Sequence, residues 1–230
     1  MVDKYGVREL VAERIGDDKL IPLLGVWDSF DEIDFDKLPN QFVLKATHDS
    51  GSVVICKDKK NFDVEKARKK LTSALKYNYF WKGREMPYKD VKPRIICEQY
   101  MVDLVDSGLI DYKFFVFDGK PRLVFIASNR FGVGGAKFDY FDLDFNNLDF
   151  GSFAHERAGD KLKKPDNWDE MKSLVDKLVC EDIPFVRVDL YSVKDKIYFG
   201  EYTFFHDGGL VAFEPKEWDK KLGDLINLQL

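Results

Sequence analysis

The chain has 230 residues, 45% of them apolar, enough to bury a real core as one large domain or two small lobes. It carries 36 basic and 41 acidic side chains, and the net charge of −5 excludes a protein built around DNA or RNA while leaving room for local basic sites. Cys56, Cys97 and Cys180 are scattered and lack metal-ligand spacing, and no run approaches the roughly 18 apolar residues of a membrane span, so a cytoplasmic protein with neither zinc site nor disulfide scaffold is expected.

Asp3 can cap a helix whose apolar Val7, Leu10, Val11 and Ile15 fall at helical spacing and which Gly16 stops. Opening so directly into a helix is also what a fragment of a longer protein would do. After "IPLLGVW" and an acidic loop, "QFVLKATHDSGSVVIC" predicts two short strands around a turn at "HDSG". A helix over 64–77 and a strand "RIICEQYM" over 94–101 follow. In "DYKFFVFDGKPRLVFIASNR" two aromatic and branched runs meet at Asp118 and Gly119, a dipeptide suited to the type I′ turn of a hairpin. The stretch 131–165 is rich in Asp, Asn and Gly and reads mostly as loop, with "KFDYFDLDF" able to add a strand. A helix over 168–179, a second hairpin in "PFVRVDLYSVKDKIYFGEYTFF", a loop "HDGG" and an amphipathic helix over 216–228 complete the chain. Antiparallel hairpins alternating with helices imply an α+β protein rather than a parallel Rossmann sheet.

The second hairpin carries the chemistry. In "FVRVDLY" Val186, Val188 and Leu190 alternate with Arg187, Asp189 and Tyr191, so one face is core and the other presents charge. Glu201 and Thr203 share a face on the return strand. A three-residue loop centred on Asp195 sets Asp189 opposite Glu201 and Arg187 opposite Thr203, whereas an even loop moves Asp189 opposite Gly200 or Tyr202. Two opposed carboxylates repel unless something positive lies between them. Magnesium answers that need, since it takes one or two protein carboxylates and completes its shell with phosphate oxygens and water. Arg187 would then meet a transferring phosphoryl group. On this view Asp189→Asn relieves repulsion and costs the ligand-free protein no stability. The alternative is a solvated hairpin face among Lys194, Asp195 and Lys196.

Other segments answer to the same idea. "VLKATHDSGS" ends a strand with Lys45 before a turn containing Ser50, Gly51 and Ser52, which can offer backbone N–H groups to phosphates, although strand-turn-strand with one glycine is common. In "CEQYM" Glu98 is either an edge-strand carboxylate or a partner for the polar edge of an adenine. Lys113 in "DYKFF" needs an anionic partner if buried, or snorkels to solvent. "FGVGGAK" lacks the spacing of a P-loop, and His48, His155 and His206 lack metal-ligand spacing.

In order, "DKYGVRELV", "LIPLLGVWDSFDEIDFDKLPNQFVLKATHDSG", "ICEQY", "DYKFFVFDGKP", "FVRVDLY", "IYFGEYTF" and "WDKKLGDLI" resemble the TupA-like ATP-grasp family, associated with teichuronopeptide and surface-polysaccharide biosynthesis. The resemblance runs from about Asp3 to Ile226. It implies an ATP-grasp fold of two lobes with antiparallel sheets and flanking helices, an N-terminal lobe over 3–97, and a hinge with C-terminal lobe over 98–230. It implies ATP and Mg2+ as cofactors. Lys45, His48, Ser50, Gly51 and Ser52 would hold phosphates, and Glu98, Gln99, Tyr100 and Met101 would form the adenine-binding hinge. Asp189, Glu201 and Thr203 would ligate magnesium, with Thr203 standing where the wider superfamily has asparagine. Arg187 would face the γ-phosphate, Lys113 a phosphate or substrate, and His206, Gly208 and Gly209 the acceptor. The implied activity is a carboxylate ligase that forms an acyl phosphate, with a carboxylate or glycan acceptor as partner. The alternatives are an ATP-dependent sugar phosphotransferase and a non-catalytic nucleotide- or glycan-binding module.

Overall fold

A computed structural model describes residues 1–101, 109–129, 133–159, 162–179 and 182–228. Cys180 and residues 131, 132, 160 and 161 of the expected loop lie outside the described residues. The chain divides into two compact units, Met1–Leu10 with Leu20–Met101, and Val11–Lys19 with Val102–Leu230. Helix α1 (Val7–Ile15) begins after a turn in which the Asp3 carboxylate accepts from the Tyr5 amide at 3.0 Å, and Gly16 ends it at φ +97°.

The first unit holds β1 (Leu23–Trp27), β2 (Phe42–Ala46), β3 (Val53–Cys56), α2 (Val64–Leu75), α3 (Phe80–Gly83) and β4 (Ile95–Gln99). Its sheet is antiparallel in the order β1-β4-β2-β3. Asp63 caps α2 by accepting from the Lys66 amide at 2.9 Å. Ala67 and Leu71, one turn apart on α2, pack with Phe42, Leu44, Ala46, Ile95 and Cys97 from one sheet face. Strand alternation therefore turns Val43, Lys45 and Glu98 to the opposite face, with Val43 directly across from Glu98.

The second unit holds β5 (Asp111–Phe117), β6 (Lys120–Ser128), β7 (Lys137–Asp142), β8 (Gly151–Ser152), α4 (Trp168–Leu178), β9 (Phe185–Val193), β10 (Lys196–Thr203), β11 (Phe213–Glu214) and α5 (Glu217–Gly223). Five strands form an antiparallel sheet in the order β10-β9-β5-β6-β7, so "KFDYFD" does add an edge strand. Asp118 and Gly119 both take positive φ, 45° and 71°, as a type I′ turn between β5 and β6 requires. The Trp168 ring stacks on Phe114 with centroids 5.3 Å apart, seating α4 on one face. The Tyr202 hydroxyl donates to the Leu178 carbonyl at 2.7 Å on the same side. On the other face Phe115, Phe117, Leu123, Phe125 and Tyr140 form an aromatic cluster with Phe150 and Leu222.

The last helix is shorter than its amphipathic pattern suggests, because α5 stops at Gly223 rather than running to 228. Beyond it the backbone bonds tighten to three-residue turns, Leu225 to Leu222 and Ile226 to Gly223. Glycine is a poor helix former, and Leu222 is the one buried side chain of this helix, so too little packing remains to carry it further.

Candidate functional site

The polar face of the second unit is built by register. Lys113 lies opposite Asp189, and Arg187 lies between Phe115 on β5 and Thr203 on β10. Asp189 is fully buried. Both of its oxygens are taken by cations of the chain: Arg187 donates from Nε to Oδ1 at 2.8 Å and from Nη2 to Oδ2 at 2.9 Å, and the Lys113 ammonium donates to Oδ2. Asp111, also fully buried, stands 3.6 Å from the Lys113 ammonium. Arg187 further donates to Thr203 Oγ1 at 3.0 Å and to His206 Nδ1 at 2.9 Å, with Glu201 Oε1 at 3.7 Å.

Asp189 does face Glu201, but not through the expected turn. The hairpin closes on a two-residue turn, Lys194 and Asp195 with φ 49° and 64°, and Lys196 pairs with Val193. A bulge between Phe199 and Glu201 then restores the opposition of Asp189 to Glu201 and of Arg187 to Thr203. The bulge reverses the alternation, so Phe199 and Tyr202 are both buried, three residues apart, while Glu201 and Thr203 stay on the polar face. A side chain would be crowded at its centre: a Cβ on Gly200 would lie 2.9 Å from Tyr191 Cε2 and 3.1 Å from the Asp189 carbonyl oxygen.

Charge inside this cluster is balanced in part by the chain itself, Lys113 and Arg187 standing against Asp111, Asp189 and Glu201. Burial by itself would raise the Asp189 carboxyl, but Arg187 and Lys113 outweigh it and hold Asp189 below the ordinary carboxylate range. Burial likewise works against the charge on Arg187, yet Asp189, with Glu201 and Asp207, pushes that guanidinium above its usual value. Burial and then the Arg187 charge push His206 down to about 4. Its Nδ1 must accept, because arginine only donates, so the neutral ring carries its hydrogen on Nε2. The positive charge that the opposed acids require is thus partly supplied by Arg187 and Lys113. The expectation that Asp189→Asn relieves repulsion is overturned on this ground.

Asp189, Glu201 and Thr203 together present two carboxylates and a hydroxyl, all hard oxygens, which is the chemistry of a magnesium ligand set. Among the described residues no group of three or more His, Cys, Asp or Glu is arranged to hold a metal. A cation here would therefore complete its shell from ligand oxygens and water, as magnesium does on phosphates. Glu201 is half-buried and accessible to such an ion.

In the first unit Lys45 and Glu98 come together. The Lys45 ammonium donates to Glu98 Oε2 at 2.6 Å, and Arg8 donates to Glu98 Oε1 at 3.1 Å. Sequence reasoning missed Arg8, which carries no motif signal. The Glu98 carboxylate is committed to these two cations and its backbone lies between β1 and β2, so of the expected hinge only Tyr100 and Met101 lie beyond the sheet. Gln99 is exposed, and Tyr100 and Met101 are half-buried. His48 is set apart from Lys45: it is buried, with Nε2 on the carbonyls of Ala74 and Tyr77 at 3.0 and 3.2 Å. The turn is tied at its base, where the Thr47 amide donates to the Arg94 carbonyl at 2.9 Å and the Ala46 amide to the Ser52 carbonyl at 3.0 Å. Its tip, Ser50 and Gly51, is exposed, and Gly51 takes φ +102° with open space where a Cβ would stand.

The "HDGG" loop brings His206 under the aromatic cluster, its ring 4.8 Å from Phe115 and 5.4 Å from Phe125. Asp207, Gly208 and Gly209 follow in the left-handed region, with open space beside both glycines. His206 thus joins Arg187, while Gly208 is half-buried and Gly209 exposed.

The chain is similar in structure to D-alanine--D-alanine ligase from Bacillus anthracis complexed with ATP, at 18% identity and TM-score 0.53, over 98% of this chain and 64% of that one. It also matches N5-carboxyaminoimidazole synthetase from Staphylococcus aureus complexed with ADP, at 13% identity and TM-score 0.47, over 91% of this chain and 46% of that one. The chain therefore spans somewhat under two thirds of the first of these proteins and about half of the second. A search of curated proteins gave no match. A family model described as TupA-like ATPgrasp matches residues 1–227. With that match spanning nearly the whole chain, and with its antiparallel α+β sheets shared with an ATP-grasp ligase, the chain belongs to the TupA-like ATP-grasp family and has the ATP-grasp fold.

Proposed function

We propose that the chain is an ATP-dependent carboxylate ligase that activates a carboxylate as an acyl phosphate and passes it to an amine or other nucleophile, in cell-envelope polysaccharide or teichuronopeptide biosynthesis. The observation that carries the reading is the cluster of Lys113, Arg187, Asp189, Glu201 and Thr203 on one sheet face, in a chain of this family. ATP is the phosphoryl donor. Lys45 supplies charge to its phosphates, together with the amides of Ser50, Gly51 and Ser52, and the backbone over 98–101 meets the adenine. The two lobes would be residues 3–97 and 98–230, apart from 11–19, which cluster with the second unit, and 98–101, which cluster with the first. Asp189, Glu201 and Thr203 would hold Mg2+, Asp189 by exchanging a bond from Arg187 or Lys113 for the ion, and the ion would supply charge neutralisation at the phosphates. Arg187 and Lys113 add fixed positive charge where phosphoryl oxygens develop negative charge. Phosphoryl transfer needs positioning and charge neutralisation, so no protein nucleophile is required. Thr203 can contribute its hydroxyl where relatives use asparagine. His206, Gly208 and Gly209 border the acceptor.

Thermal unfolding with and without MgATP tests the binding step: free ligand at 100 times its dissociation constant stabilises by about 2.7 kcal/mol. Incubation with carboxylate and amine acceptors, and separately with sugars, then separates the alternatives. A ligase yields ADP, phosphate and an amide, a phosphotransferase yields a phosphosugar, and a binding module yields neither. Absence of any MgATP stabilisation would overturn the proposal.

A further inference from the structure

We infer that Arg8 is a positioning residue that frees Lys45 to bind an anion, by holding the charge of Glu98 when Lys45 leaves it. The inference rests on the proposed role of Lys45 and extends it to a residue outside every expected site. Glu98 is buried, 7% exposed, and its two oxygens are divided between two cations: Oε2 accepts from Lys45 at 2.6 Å and Oε1 from Arg8 at 3.1 Å. Arg8 is anchored a second time, donating from Nη2 to the Ile21 carbonyl at 2.8 Å, so its guanidinium stays in place whatever Lys45 does. Lys45 has no such second bond among the described residues and is the more exposed cation, at 22% of its side chain against 15% for Arg8.

The cluster therefore holds two positive charges for one negative. An arriving phosphate can take the Lys45 ammonium and leave Arg8 and Glu98 as a neutral buried pair. Without Arg8, the same departure would leave a buried carboxylate with no counter-charge, which is strongly unfavourable, so Glu98 would compete with the ligand for Lys45. Arg8 acts through Glu98 and need not touch the nucleotide.

The test is calorimetric titration of MgATP into the full chain, for wild type, Arg8→Met, Arg8→Lys, Glu98→Gln and the double variant Arg8→Met/Glu98→Gln. Thermal unfolding without ligand establishes that each is folded. Arg8→Met is expected to weaken MgATP binding by about tenfold or more, the factor that corresponds to about 1.4 kcal/mol. Arg8→Lys keeps the charge and is expected to stay within about threefold of wild type. The double variant is expected to bind within about threefold of Glu98→Gln alone, because a neutral residue 98 no longer needs a counter-charge. A merely structural Arg8 predicts no rescue by the second substitution. Arg8→Met binding as tightly as wild type, or a double variant binding about tenfold worse than Glu98→Gln, overturns the inference; if Arg8→Met does not fold, the last comparison decides alone. Failure of wild type to bind MgATP at all overturns instead the proposed function.

Discussion

Replacing Asp189 by asparagine keeps the shape of a fully buried side chain and removes its charge. In the native protein that charge receives two bonds from Arg187, at 2.8 and 2.9 Å, and a third from the Lys113 ammonium. The amide can accept through one oxygen and presents N–H groups where the other accepted, so a guanidinium and an ammonium lose their shared buried counter-charge and keep only the longer contacts to Glu201 and Asp111, 3.7 and 3.6 Å away. Breaking a buried ion pair from one side costs about 3–5 kcal/mol. For a protein of this size each kcal/mol lowers the melting temperature by about 2–4 °C, so the ligand-free variant should melt roughly 6–20 °C below wild type. Circular dichroism melts at neutral pH without nucleotide or metal measure this directly. A variant within about 2 °C of wild type would show that Arg187 and Lys113 do not neutralise Asp189 in solution, and the account of the polar face would be wrong.

Gly200→Ala should destabilise by about 1–3 kcal/mol in urea unfolding, since the added methyl meets the Asp189 carbonyl oxygen, which is backbone and cannot swing aside. If instead the alanine is neutral, the bulge does not set the register of β10. Acidification should also weaken the fold between pH 6.5 and about 4, because the unfolded chain protonates His206 near 6.5 while the native ring resists to about 4. Stability then rises with pH across this window by at most about 1.4 kcal/mol per unit. His206→Gln should flatten that part of the profile, and an unchanged slope would mean the imidazole is not buried neutral beside Arg187.

Much of the fold is written in residue patterns whose physics is local. The Asp118-Gly119 turn and the helical spacing in α1 each follow from backbone geometry over a few residues and appear as expected, while the alternation in β9 separates apolar from charged side chains although both faces are buried. The opposition of Asp189 to Glu201 was reached from a wrong turn, because two unseen features compensate: the loop is one residue shorter, and Gly200 adds one back. That bulge did leave a trace, a phase slip from Ile197 and Phe199 to Tyr202 across a glycine within a strand. The final helix ends at Gly223, short of its amphipathic pattern, because periodicity reports amphipathic character, whereas helix length depends on packing partners that sequence does not reveal. Arg8 and the pairing of Glu98 with Lys45 depend on contacts distant along the chain, and no spacing rule reaches them.

The turn after β2 is anchored on both sides of a bare tip. Thr47 and His48 are bonded to other segments, Ser52 closes back on Ala46, and between them Ser50 and Gly51 face solvent. Amide hydrogens at the base should therefore exchange slowly with deuterated water while those at the tip exchange fast. Such a segment can rearrange its N–H groups around an arriving anion without transmitting the movement to the strands it joins.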